Sequence, residues 1–314
     1  MNISYSRVSK YLRCPRAHYL SYIERLELDK PIKPLSFGSD FHKLLQYRRG
    51  KTKLKKAKLE IIHKFDSLPS RFQSELGDNY IDDLFTIFSD YRNVYRGEEK
   101  PIHTELEFSI PVGKIKGEQV NFIGYIDEIY DEYKVVGEHK TFGQKPSMDT
   151  LVMNPQGCLY AKAVELLYGK LPEKIRWDYI HSSPAKIPAY LKPSQRLSCA
   201  KDNRVTPFSW ARACKLYNIV DEQEILKGEN FQQNISNSYF RHDLAVMPIM
   251  VERTWETFRY VAKDIITRGK TNQTQNLTRD CGFCNFRDIC HTEFTGGNVK
   301  YLIEKNYRTK EERH

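Results

Sequence analysis

The stretch VNFIGYIDEIYDEYKVVGEHKTFG, residues 120–143, holds two alternating runs around a polar break at Asp131–Glu132. Side chains two apart share one side of a strand. Each run therefore reads as a β-strand, and the break as the turn between them. A third alternating run, IHTELEFSIPV from residue 102, precedes them, with a turn near Gly113–Gly117. The three predict an antiparallel meander. In VGEHKTF, Glu138 and Lys140 point to one side, and Asp127 lies on the strand before. Carboxylates are hard oxygen ligands for Mg²⁺ or Mn²⁺. A neighbouring lysine can orient or help deprotonate a water, or stabilise charge on a phosphate. The set suits metal-assisted phosphodiester hydrolysis. Alone, D…E-x-K is a weak signal, because exposed strands often carry these residues.

Working outward, NPQGCLYAKAVELLYG (154–169) predicts a helix opened at Asn154 and Pro155 and ended at Gly169. KIRWDYIHSS (174–183) predicts a fourth strand, which makes the centre βββαβ. Upstream, residues 6–28 predict a helix capped by Ser6 and interrupted at Pro15. LSFGSDFHKLLQY (35–47) predicts a second helix, RRGKTKLKKAK (48–58) is a basic run, and 59–96 predict amphipathic helices with Leu84, Phe85, Ile87 and Phe88 in the core. Downstream, 184–208 are rich in loops and 209–268 read as mostly helical.

A chain of 314 residues suits one large domain or two modest ones. The net charge of +10 favours a polyanionic partner, nucleic acid above all. No apolar run approaches the roughly 18–20 residues that span a bilayer. The first residues, MNISYSRVSKYLR, do not read as a signal peptide. An intracellular, cytoplasmic protein is expected, with no membrane partner. No G-x-x-x-x-G-K-[ST] is present in the sequence, so no nucleotide-driven motor is expected.

Further residues add to the strand signal. Gly38 and His42 lie four apart on one helix face, the glycine permitting close approach and the histidine able to bind a metal. Gln156 and Tyr160 are also four apart, with polar tips that can hold a phosphate or a water. Near the C-terminal end, RDCGFCNFRDICHTEF (279–294) spaces Cys281, Cys284 and Cys290 as C-x2-C-x5-C, and Cys14 offers a fourth thiolate. Clustered cysteines in a reducing compartment are metal ligands more often than disulfides. Spacing alone slightly favours a four-cysteine zinc site. Three cysteines plus His291 would strain the chain, because His291 directly follows Cys290. Cys158, Cys199 and Cys214 stand apart and read as small buried residues. Basic and aromatic residues interleave at Tyr5, Arg7, Arg13, Arg48, Arg49, Tyr239 and Arg241, which suits phosphate contact and base stacking.

The order Cys, G-x-x-x-H, D, E-x-K, Q-x-x-x-Y, C-x2-C-x5-C resembles the RecB-like branch of the PD-(D/E)XK nucleases. Within it, the pattern is similar to the iron–sulfur group, which includes the AddB nuclease domain and the CRISPR-associated RecB-like exonucleases. The resemblance implies an α/β, restriction-endonuclease-like core: a central mixed sheet flanked by helices, with an iron–sulfur module joining the termini. It implies one nuclease domain over 1–314, with a clasp of 1–28 and 275–295, a catalytic core at 101–183 and a helical region at 190–270. His42, Asp127, Glu138 and the main-chain carbonyl of His139 would hold Mg²⁺ or Mn²⁺. The ring of His139 would face away. Lys140 would be catalytic, and Gln156 and Tyr160 would position DNA. A further acid of the first strand would be Glu105 in preference to Glu107. The resemblance turns the four-cysteine site from zinc to a [4Fe–4S] cluster on Cys14, Cys281, Cys284 and Cys290.

The function implied is a metal-dependent DNA exonuclease on single strands or duplex ends, in recombination, repair or DNA degradation. It would act alone or beside a separate helicase or recombinase, and a phage-encoded enzyme fits. Two other readings are an end-processing nuclease of CRISPR adaptation and a non-catalytic DNA-binding subunit.

Overall fold

The centre of the molecule is a six-stranded mixed sheet, seen in a computed structural model that describes residues 1–48, 50–194, 196–198 and 203–310. Its strands are β1 (Asn2–Ile3), β2 (His103–Ile115), β3 (Glu118–Tyr130), β4 (Val135–Phe142), β5 (Lys174–His181) and β6 (Tyr239–Ala245). β2 and β3 pair antiparallel along nearly their whole lengths, from His103↔Ile129 to Ile115↔Glu118. β4 runs antiparallel to the end of β3, with Glu128 opposite Gly137. β1 lies parallel on the start of β3, pairing Ile3 with Phe122. β5 is parallel to β4, and β6 is antiparallel to β5. The alternating runs thus form the expected meander, and the helix before β5 makes the expected crossover.

The main helices are α1 (Tyr5–Arg13), α2 (Lys33–Gln46), α3 (Lys51–Asp66), α4 (Tyr80–Val94), α5 (Pro155–Tyr168) and α6 (Pro248–Arg268). One core cluster joins α1, α5 and α6 to the sheet through Val8, Leu159, Phe258, Phe122 and Ile110. A second joins α2, α3 and α4 through Phe41, Leu44, Ile61, Leu84 and Phe88 to Ile180 and Tyr239 of the sheet. Two layers of helices therefore enclose the sheet, as the amphipathic patterns require. Phe85 is only half-buried, under the ammonium of Lys58 at 4.6 Å from its ring.

Two local expectations are corrected. Residues 6–28 are not one helix. Ser4 rather than Ser6 caps α1, accepting from the Arg7 N–H, and the helix stops at Cys14 because Pro15 disfavours a helical backbone before it. A short helix (Pro15–His18), a π-helical turn (Tyr19–Ile23) and a strand (Leu26–Leu28) follow. The 209–268 stretch is also not wholly helical: Tyr239–Ala245 is β6. The pattern misleads there because Arg241 turns inward to a buried acid instead of outward to water.

The two ends of the chain meet. Tyr307–Thr309 pairs antiparallel with Leu26–Leu28. Arg16 bonds Gln273 and Glu293 from the other end, and Ala17, Leu20, Phe286, Ile289 and Tyr307 form one apolar cluster.

Candidate active site

β4 places Glu138 and Lys140 on one side, and α5 packs over them. α5 sits close to the sheet because residue 157 is glycine: a Cβ there would stand 2.9 Å from Ile175 Cδ1 and 3.2 Å from Trp177. Gln156 is thereby lowered onto the strand. Lys140 Nζ donates to Glu138 Oε1 at 2.6 Å and to Gln156 Oε1 at 2.8 Å. Gln156 Nε2 donates to the same Glu138 Oε1 at 2.7 Å and to the Tyr160 hydroxyl at 3.1 Å. Glu138, Lys140, Gln156 and Tyr160 are therefore one hydrogen-bonded group.

Asp127 stands one position before the Glu128↔Gly137 pair, which puts it across from Glu138. Its Oδ2 accepts the His139 backbone N–H at 2.7 Å. His42 arrives from α2, its Nδ1 3.4 Å from Asp127 Oδ1 and 3.9 Å from Glu105 Oε1. The α2 backbone comes near β4 at Gly38, whose added Cβ would meet Thr141 Oγ1 at 3.4 Å. Glu105 has φ +50 inside β2, a left-handed conformation uncommon for a non-glycine residue. Such conformations concentrate at functional sites. Glu107 instead accepts from the exposed Tyr125 hydroxyl at 3.0 Å and stands outside this group.

The electrostatics fit a cation. One donor atom each from His42, Glu105 and Asp127 lies within 4.8 Å of the other two, the one such group among the described residues. Glu138 Oε2 is buried and has no hydrogen-bond partner. Burial first, then the charge of Asp127, pushes the Glu138 carboxyl up to about 7. Burial would also raise Asp127, but the charge and hydrogen bond of His42 hold it below the usual carboxylate range. Burial lowers His42, yet Asp127 and Glu105 override it and bring the imidazole up to about 10. Without an ion, the His42 proton balances the charge of Asp127 and Glu105; a divalent ion there would take its place, since a ligating imidazole is neutral, and would favour the ionised form of Glu138.

The four cysteines come from both ends. Cys14 separates α1 from the next short helix, Cys281 lies in a 3₁₀ turn (Arg279–Phe283), Cys284 ends it, and Cys290 lies in the helix Arg287–Phe294. Thr274 carbonyl accepts from the Arg16 N–H at 3.0 Å and lies 3.9 Å from Cys14 Sγ, bringing the segments side by side. Burial first, then Glu293 and the thiols of Cys284 and Cys14, pushes the Cys290 thiol up to about 11. No three of the four sulfurs lie within 4.8 Å of one another.

Other predicted residues stand elsewhere. Tyr239 is 3 % exposed, and its hydroxyl donates to the Ile87 carbonyl at 3.2 Å, so no ring face is free for a base. Arg241 pairs with Asp178 at 3.2 Å and with Glu98, over the Tyr95 ring. Arg48 pairs with the buried Glu128 at 2.8 Å. These arginines are spent inside the protein instead of on phosphates. Tyr5 and Arg7 are half-buried, Arg13 is exposed, and Cys158 and Cys214 are buried. Arg49 and Cys199 lie outside the described residues. Glu128 and Asp178 escaped the sequence reading. Their signal was a charged residue beside apolar ones in each strand, Glu128 before Ile129 and Tyr130 and Asp178 between Trp177 and Tyr179.

The fold and this site define a nuclease of the restriction-endonuclease-like class. The description "PD-(D/E)XK nuclease superfamily" matches residues 2–291, and the chain belongs to that superfamily. Among curated proteins, none matches. The crystal structure of SSO0001 is similar at 13 % identity, covering 92 % of this chain and 85 % of that one, with a TM-score of 0.40. No helix among the described residues is long and apolar enough to cross a membrane.

Proposed function

We propose that this superfamily member is a DNA exonuclease that cleaves single strands or duplex ends with Mg²⁺ or Mn²⁺. The observation that carries the reading is Glu138: one oxygen is held by Lys140 and Gln156 and the other has no partner, on the strand beside Asp127, which groups with His42 and Glu105. His42, Asp127 and Glu138 would hold the ion with the His139 carbonyl, and Glu105 stands beside them. A divalent ion held there would supply Lewis-acid stabilisation of the charge that builds on the scissile phosphate. Lys140 places a cation where the attacking water or the phosphate oxygen meets the site. Gln156, braced by Tyr160, fixes the lysine. The excess of basic residues suits a polyanionic substrate.

Cys14, Cys281, Cys284 and Cys290 are proposed as the ligands of a [4Fe–4S] cluster, supported by their shared location where the two ends of the chain meet. Its role is structural, tying both ends around the nuclease core. The enzyme would act alone or beside a separate helicase or recombinase, in the cytoplasm of a cell or of a phage host.

The test uses end-labelled linear and circular DNA, single- and double-stranded, with Mn²⁺ or Mg²⁺, beside Lys140→Ala. Degradation of linear but not circular DNA, lost in the variant, is expected. Equal cleavage by both proteins, or by neither, refutes the catalytic assignment. Cutting of circles refutes the exonuclease assignment.

A further inference from the structure

The strand that carries Glu138 and Lys140 is also gripped from its reverse side. There the His139 ring has its Nε2 3.1 Å from Glu128 Oε2 on β3 and its Nδ1 3.0 Å from Asp178 Oδ2 on β5, ion-pair contacts in which neither nitrogen is aligned for a hydrogen bond. Glu128 and His139 are each 3 % exposed and Asp178 is 1 % exposed. Arg48 holds the far oxygen of Glu128 at 2.8 Å, and Arg241 holds Asp178 at 3.2 Å. Tyr130 donates to Glu128, and Tyr91 to Asp178. The row Arg48, Glu128, His139, Asp178, Arg241 thus starts just past the end of α2 and crosses four adjacent strands, β3 to β6, in the protein interior.

Such a row is a poor device for stability alone. Taking these charges from water is costly, and apolar residues of similar volume often hold an interior as well or better. What the row does is fix one peptide. The His139 N–H bonds Asp127 Oδ2 at 2.7 Å, and the residue before it is Glu138. Both central carboxylates therefore depend on where the His139 backbone sits.

We propose that His139 is a positioning residue for the metal centre. Its ring, clamped between Glu128 and Asp178, sets the depth and rotation of β4, so that its N–H orients Asp127 and Glu138 presents its bare oxygen. The proposal rests on the reading of Asp127 and Glu138 as metal ligands. Outer-shell partners of this kind typically contribute about 10–100-fold in metal affinity or activity.

The test measures Mn²⁺ binding by calorimetry in the absence of DNA, then cleavage. His139→Gln keeps a polar side chain of similar reach, and Arg48 and Arg241 remain beside Glu128 and Asp178. The expected result is a 10–100-fold loss of Mn²⁺ affinity and a matching fall in kcat, with KM for DNA changed less than about threefold. Trp210→Phe serves as the destabilised control. Trp210 is fully buried in a separate cluster with Leu197, Val205 and Ala213, and its indole N–H donates to the Glu224 carbonyl at 2.9 Å. It should melt earlier yet keep wild-type Mn²⁺ affinity. Unchanged Mn²⁺ affinity in His139→Gln overturns the proposal, as does an equal loss in Trp210→Phe. If His139→Gln does not fold, Asp178→Asn carries the same expectation, and wild-type affinity there overturns it. Asp127→Asn separates the two readings. If it too binds Mn²⁺ normally, the metal-ligand assignment has failed; if it alone loses Mn²⁺, only the positioning role has failed.

Discussion

At the scale of residues, the chemistry converges on Glu138. Lys140 and Gln156 share its Oε1, and its Oε2 is left without a partner. Glu138→Gln keeps the shape and removes the charge that a cation needs. Cleavage should fall at least about 100-fold, consistent with losing several kcal/mol of charge stabilisation. The melting temperature of the metal-free protein should stay level or rise, as scanning calorimetry would show. Which residues come together at the proposed site was largely legible from spacing: Glu138 and Lys140 share a face by period two, Asp127 lies on the strand before, and Gln156 and Tyr160 are four apart on one helix. Glu105 and Glu107 share that same period, and only the approach of His42 separates them. Tyr239 and Arg241 were misplaced, because an aromatic next to an arginine looks alike whether it faces water or a buried acid.

At the scale of elements, one helix and one histidine carry predictions. α5 must lie close on β5 for Gln156 to reach Lys140. Gly157→Ala adds a methyl 2.9 Å from Ile175 Cδ1. Overpacking of this kind costs about 1–3 kcal/mol. Denaturant unfolding should show that loss, and cleavage should fall with it as Gln156 is lifted from Glu138. His18, in the short helix after Cys14, is fully buried and accepts from Arg7 Nε at 3.2 Å. Burial first, then Arg7 and Lys10, brings its imidazole down to about 4. The unfolded histidine titrates near 6.5, so the folded state binds fewer protons between these values. The stability it contributes is complete above about 6.5 and is lost as the pH falls toward 4. Urea midpoints at pH 7.5 and 5 should differ more in the wild type than in His18→Gln. Equal differences would show that another group controls the acid limb.

At the scale of the whole molecule, the ends of the chain are held together by the Leu26–Leu28 and Tyr307–Thr309 pairing and by the contacts of Arg16. The proposed cluster would sit on this seam. Cys14→Ala and Cys284→Ala, 270 residues apart in sequence, should each abolish iron incorporation and the brown colour of anaerobically purified protein. Iron and sulfide analysis checks this. Retention of metal by Cys14→Ala alone would mean that the site is local to the C-terminal segment. Colourless protein with stoichiometric zinc would replace the cluster with a zinc ion.

By itself, the sequence determined the βββαβ core, the crossover helix and the placement of Asp127, Glu138 and Lys140 side by side on two neighbouring strands. Each rests on local periodicity, and a period of two or four is visible in a short window. Only the tertiary structure decided that Glu105 stands beside His42, that β6 closes the sheet, and that Arg48, Glu128, Asp178 and Arg241 lie behind His139. These depend on residues far apart in the chain. Their pairing compensates for burial that no window of sequence reveals, because a charge looks the same on the page whether water or an opposite charge solvates it.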